Sequence, residues 1–203
     1  MPDWDEDSPR LRQNLTRVLE EIVQASQARE IPTLKTVKRW HTLIMQGLDV
    51  PNAQFVGAFR GEPGLENLQT RIGANYGVAS AKVAREVERF EAKLHALVAQ
   101  MDALLPAGQG PDTDQLAAVV DLCAWVHAEW VRIHPFANGN GRTARLWANS
   151  IAMRYGLPPF IRLRPRPNSG YGGAGAKAMH GDWQSTARVF RRLLENLLRD
   201  ASS

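Results

Sequence analysis

The chain has 203 residues, 44% of them hydrophobic and 23% charged, with a formal net charge of +4. That is enough chain and enough apolar matter to core one domain, which excludes disorder, and no apolar run approaches the roughly 18 residues of a membrane span. A single cysteine, Cys123, excludes an intramolecular disulfide and a cysteine-rich metal site.

The opening MPDWDEDSPR is acidic and polar, without the basic start and apolar middle of a secretory leader, so a cytoplasmic location is the expectation. Ser8-Pro9 reads as a helix start, Ser as N-cap and Pro at the first helical position. Leu11, Leu15, Val18, Leu19, Ile22 and Val23 follow at helical spacing. Pro32-Thr33 opens a second helix carrying Leu34, Val37, Trp40, Leu43, Ile44 and Leu48, bracketed by Gly47 and Pro51. From Asn52 to Gly77 five glycines and Pro63 break the pattern, and short apolar pieces between them suggest a long connection with a small β-hairpin. Loops of that length within a compact domain usually serve a function, such as a lid or substrate clamp. Ser80 is the expected cap of a third helix, with Val83, Val87, Phe90, Leu94, Leu97, Val98 and Met101 on one stripe.

A fourth helix runs from about Thr113 to Ile133, and a fifth starts near Gly139 to Gly141 and continues to Tyr155, where Gly156 ends it. After Gly156 comes a Pro-, Gly- and Arg-rich stretch read as connection, and then Asp182 can cap a last helix bearing Trp183, Phe190, Leu193, Leu194, Leu197 and Leu198. Trp125, Trp130, Trp147 and Trp183 read as core or interface aromatics. The basic excess collects late, at Arg162, Arg164, Arg166, Lys177, Arg188, Arg191, Arg192 and Arg199. Solvated helix faces are the expectation for these residues, and no nucleic-acid-binding signature accompanies them. The fold class is mainly α, one helical bundle with a small β-hairpin.

The chemistry concentrates in His134–Arg145, HPFANGNGRTAR. Gly139-Asn140-Gly141 sits where a helix begins. Glycine lets several backbone N–H groups converge there, and the helix dipole behind them favours anions, phosphates above all. Arg142 and Arg145 lie three apart on one helix face, and the guanidinium fork suits phosphate oxygens. His134 precedes the loop and can accept a proton near neutral pH. Phe136 reads as an apolar anchor. These parts alone give a base beside an anion nest; with no GK[ST] it is not a Walker A loop.

This stretch closely resembles the Fic motif, HxFx[D/E]GNGRxxR, matching every specified position except one. The resemblance reaches roughly from Trp40 to the last helix, with residues 1–35 as an N-terminal helical extension and 36–200 as the core. His41 followed by Val56-Gly57-Ala58-Phe59-Arg60 resembles the run leading into the family's flap, which places Gly57 and Arg60 at the flap. GYGGAGAKAMHGDW resembles the family's C-terminal part. The resemblance implies a protein adenylyltransferase that moves AMP from ATP, with Mg2+, to a Ser, Thr or Tyr hydroxyl of a target protein. It implies that His134 is the general base, that Asn138, Gly139, Asn140, Gly141, Arg142 and Arg145 bind nucleotide phosphates, and that the flap holds the target segment extended.

Asn138 stands where the family has Asp or Glu, the magnesium ligand. An amide oxygen offers no charge, so weaker metal binding is expected there. Asparagine also occurs at this place in the related Doc kinases, whose motif otherwise differs. Transfer of UMP or phosphate, and a weakly active nucleotide binder, therefore stay open. Many family members are restrained by a helix bearing [S/T]xxxE[G/N]. Thr16 to Glu21, with Glu20, and Arg191 to Asn196, with Glu195, match it only in part. If neither helix inhibits, the expectation is a separate small antitoxin-like partner or no such control. His127 reads as structural. Tyr76, Ser80, Ser169 and Tyr171 are candidate self-modification sites.

Overall fold

The structure, a computed structural model, describes residues 8–168 and 170–201. Among these residues the chain forms helices α1 Pro9–Gln27 and α2 Leu34–Met45, a hairpin of β1 Arg71–Ile72 and β2 Asn75–Tyr76, then helices α3 Ser80–Leu104, α4 Thr113–Ile133, α5 Asn140–Arg154, α6 Tyr171–Ala178 and α7 Gln184–Ala201. The architecture is mainly helical, as the apolar periodicity implies. Among the described residues no helix is long and apolar enough to cross a membrane.

Helix starts follow local chemistry. The Ser8 hydroxyl accepts from Leu11 N at 3.1 Å ahead of Pro9. Thr33 and Thr36 form a capping box for α2, and Asp112 and Gln115 form one for α4. Asp182 accepts from Ser185 N at 3.0 Å at the head of α7. Ser80 departs from expectation. It is the first residue of α3, not its cap, and its hydroxyl donates to the Leu68 carbonyl, tying the flap to the helix.

The centre of the molecule is the pair α4 and α5, with α3, α6 and α7 against α4 and with α1 and α2 against α5. Trp130 and Trp147 from this pair meet Phe90 of α3 in a buried aromatic cluster, ring centroids 5.3–5.6 Å apart. Truncating any one of these rings would cost about 3–5 kcal/mol. Helix α1, expected as an extension, shares this core through Leu11, Leu15, Val18 and Ile22. Its buried Asn14 donates to Ile44 O at 3.0 Å and Gln46 O at 2.8 Å, satisfying carbonyls at the end of α2.

Three further expectations are corrected. Val23, Leu197 and Leu198 face solvent, because the apolar stripes of α1 and α7 are broader than the surfaces that receive them. The Gly-rich stretch after Asn168 contains helix α6, which three glycines disfavour by propensity. Burial of Tyr171, Ala174 and Ala178 against α4 and α7 overrides that preference. Gly57 and Arg60 lie before the hairpin rather than in it. Gly57 N donates to His41 Nδ1 at 3.0 Å, and Arg60 is fully buried at the hairpin's base.

Candidate active site

Helix α4 ends at His134, whose backbone is left-handed at φ 54° and ψ 55°. That conformation is uncommon for a residue with a side chain and needs support from its surroundings. Arg60 supplies it. Its guanidinium donates to His134 O at 2.8 Å, Ile133 O at 3.1 Å, Val78 O at 2.7 Å and Leu68 O at 3.2 Å. One side chain therefore ties the end of α4 to both legs of the flap. Burial lowers the Arg60 pKa to about 10. Gly77 completes the junction, since a Cβ there would lie 2.7 Å from His134 Cβ.

The His134 ring has a defined tautomer. Nδ1 lies 3.2 Å from Val131 O, and a carbonyl can only accept, so Nδ1 carries the proton and Nε2 keeps its lone pair. Burial lowers its pKa to about 4, with the nearby Arg60 charge adding to the effect. The imidazole is therefore neutral at physiological pH and able to take a proton.

The loop that follows is braced from within. Asn140 pinches it, with Oδ1 accepting from Phe136 N at 2.8 Å and Nδ2 donating to Phe136 O at 2.9 Å. Phe136 is fully buried and stacks on His41, centroids 3.9 Å apart at 10°. His41 Nε2 in turn donates to Asn138 O at 3.0 Å. Burial lowers the His41 pKa to about 3, which keeps it neutral. Gly139 caps α5 at φ 78°, where a Cβ would meet Met45 and His41 at 2.9 and 3.2 Å. From Asn140 onward the first-turn N–H groups of α5 lack acceptors within the helix, the arrangement that receives anions.

Arg142 and Arg145 are 3% and 4% exposed, yet both border the same cleft. Arg145 Nη1 donates to Tyr171 OH at 3.1 Å, and that hydroxyl lies 2.6 Å from His127 Nε2. Arg145 can only donate, so the Tyr171 oxygen accepts from it and makes its second hydrogen bond with His127 Nε2. Burial lowers the His127 pKa to about 3, so the ring is neutral. His127 is structural, as expected, and the structure shows what it supports.

The cleft has a volume of about 1250 Å3. The hairpin forms one wall, α5 and its loop another, and the connection between α5 and α6 with α6 itself the third. Asn75 Oδ1 at the hairpin reaches His180 Nε2, 2.9 Å away beyond α6. His134, Asn138, Gly139, Asn140, Gly141, Arg142 and Arg145 all border this one space. Arg71, Arg164 and Arg166 do so as well; Arg164 and Arg166 belong to the late basic run expected on solvated helix faces, but they lie in the connection between α5 and α6 and border the cleft, while no sequence signal marks Arg71. Tyr171 and His41 were equally hidden as supports of the loop and of Arg145.

The donor set does not fit a protein-held magnesium ion. Among the described residues no Asp or Glu borders the cleft, and no group of three or more His, Cys, Asp or Glu could hold a metal. Asn138 Oδ1 already accepts from Gly139 N and, at 3.3 Å, from Arg142 Nη2. The restraining-helix candidates do not reach the site. Glu20 and Glu195 are both exposed, Glu195 beside a separate groove between α6 and α7. Of the candidate modification sites, Tyr76 is 62% exposed, while Ser80 and Tyr171 are buried; Ser169 lies outside the described residues.

The sequence model of the Fic/DOC family matches residues 31–152. A protein adenylyltransferase Fic of Nematostella vectensis is 40% identical over 79 residues, 39% of this chain and 18% of that protein. One from Drosophila grimshawi is 31% identical over 129 residues, 64% of this chain and 22% of that protein. The chain thus spans about a fifth of the length of these relatives. Among solved structures, a Fic domain containing signaling protein from Bacteroides thetaiotaomicron is similar with a TM-score of 0.60 at 19% identity. The similarity covers 93% of this chain and 69% of that one. BepC from Bartonella tribocorum, solved with bound AMPPNP, has a TM-score of 0.58 at 16% identity, covering 95% and 90%. At these identities the structures attest a shared fold.

Proposed function

The chain belongs to the Fic/DOC family, and from that premise we propose that it is a protein adenylyltransferase, moving AMP from ATP to a Ser, Thr or Tyr hydroxyl of a target protein. The observation that carries the reading is the tautomer of His134, a neutral ring with its Nε2 lone pair available, in the same cleft as the N-terminus of α5 and two buried arginines. The acceptor oxygen attacks the α-phosphorus while His134 Nε2 takes its proton. The bond from that phosphorus to the oxygen bridging toward the β-phosphate breaks, and pyrophosphate leaves.

The α5 N-terminus, from Gly139 to Arg142, holds the inner phosphates, and Arg145 holds the outer ones. Catalysis is then positioning plus electrostatic stabilisation by groups already fixed in place. The hairpin, with Ile72 and Tyr76 exposed, offers backbone edges to an extended target segment, as in strand addition. The sequence-level expectation of Mg2+ at Asn138 finds no carboxylate here, so no step is assigned to the ion. The positions of Glu20 and Glu195 outside the cleft speak against inhibition by these two helices and leave a separate antitoxin-like partner, or no such control.

Incubation with ATP labelled at the α- or γ-phosphate, followed by intact-protein mass, tests the reading. The expected result is α-label and an added AMP, lost in His134→Ala while nucleotide still binds. γ-Label would identify a phosphotransferase, labelling from UTP a uridylyltransferase, and binding without transfer a nucleotide-binding module; each would overturn AMP transfer.

A further inference from the structure

The cleft resolves its charge problem differently from a carboxylate-plus-magnesium site. Magnesium demands near-octahedral oxygen ligation and is usually held through one or two carboxylates together with substrate phosphates. Here the protein's share of that ligation is missing. No Asp or Glu lines the cleft among the described residues, and the one oxygen at the expected place, Asn138 Oδ1, is neutral and accepts from Gly139 N and Arg142. A divalent ion at that spot would also lie beside the Arg142 guanidinium without a carboxylate to offset the repulsion.

What the cleft has instead is five arginines on its three walls. Arg71 comes from the hairpin, Arg142 and Arg145 from α5, and Arg164 and Arg166 from the connection between α5 and α6. Guanidinium groups pair with phosphate oxygens in fork geometry, stay charged, and are more weakly hydrated than ammonium. In a concave site with backbone N–H groups at its base, cations of one sign reinforce one another's attraction for a polyanion.

We propose that this site binds a nucleoside triphosphate as the metal-free polyanion, with Arg164 and Arg166 from outside the motif supplying charge that a protein-held cation would otherwise bring. The inference rests on the nucleotide reading above. The free triphosphate carries more negative charge than its magnesium complex and leaves its oxygens open to guanidinium donors. Magnesium and the arginines therefore compete for the same atoms.

The test is calorimetric titration of the full chain with the non-hydrolysable imido analogue of ATP, in EDTA and in excess Mg2+. The expected result is a Kd in EDTA equal to or lower than that in Mg2+. A tenfold or greater tightening by Mg2+ overturns the inference and leaves the nucleotide site standing, whereas no binding in either buffer overturns both. Arg166→Ala, at an exposed position, should weaken binding in EDTA by about threefold to tenfold; an unchanged Kd would remove that arginine and defeat the claim. Asn138→Asp should convert the response, so that Mg2+ tightens binding at least about tenfold. A variant whose magnesium response matches the parent's would show that position 138 does not govern cation use.

Discussion

Replacing Tyr171 by Phe tests whether the fold holds the phosphate-binding arginine in place. The ring volume is kept, so no cavity opens, and only the hydroxyl is lost. Two partners lose it together: Arg145 Nη1, 3.1 Å away, and His127 Nε2, 2.6 Å away. Each buried polar group left without a partner costs about 1–3 kcal/mol, and water in the cleft reaches one side of the site, so the total falls at about 2–4 kcal/mol. For a chain of this size that lowers the Tm by about 5–15 °C. The functional effect is separate. Arg145 loses the contact that fixes its guanidinium, and binding of the outer phosphates weakens. The KM for ATP should rise by about threefold to tenfold, with kcat changing less. Thermal unfolding and steady-state transfer of α-labelled ATP read both effects. An unchanged Tm would mean that the hydroxyl does not bind its two partners. A lowered Tm with an unchanged KM would refute the link from Tyr171 through Arg145 to the nucleotide.

Three other outcomes follow from the same geometry. Because burial holds the free-enzyme pKa of His134 at about 4, and the neutral form is the base, kcat/KM should be flat from about pH 6 to 8 and fall only as pH approaches that value. An acid limb near the ordinary histidine value of about 6.5 would show an exposed ring instead. Gly139→Ala places a side chain at φ 78° against His41 and Met45, costing about 1–2 kcal/mol before any clash is relieved; transfer should drop at least about tenfold, read by label incorporation. Glu20→Gly and Glu195→Gly should each leave self-modification at the parent's rate, since both residues lie outside the cleft; a strong increase in either would identify an internal inhibitor.

Much of this protein was legible in the sequence because the relevant physics is local. Caps at Ser8, Thr33 and Asp182, the apolar stripes of α3 and α4, and the helix beginning at Gly139 all depend on residues a few positions apart. The HPFANGNGRTAR stretch is compact for the same reason: base, anchor, anion nest and arginines must sit within two turns of the α4–α5 junction. Helix α6 escaped because its glycines argue against a helix, and only its docking on α4 and α7 decides the matter. The role of Arg60 escaped because four carbonyls from three distant segments meet only in the folded chain.

The sequence by itself determined the helical class, the hairpin and the identity of the loop that carries the chemistry. Tertiary structure alone decided which side chains support that loop: His41 beneath it, Arg60 behind His134, and Tyr171 with His127 beside Arg145. It also decided that the cleft is lined with arginine and, among the described residues, without carboxylate. The reason is that charge balance in a site is set by every wall facing it, and these walls come from segments nearly a hundred residues apart.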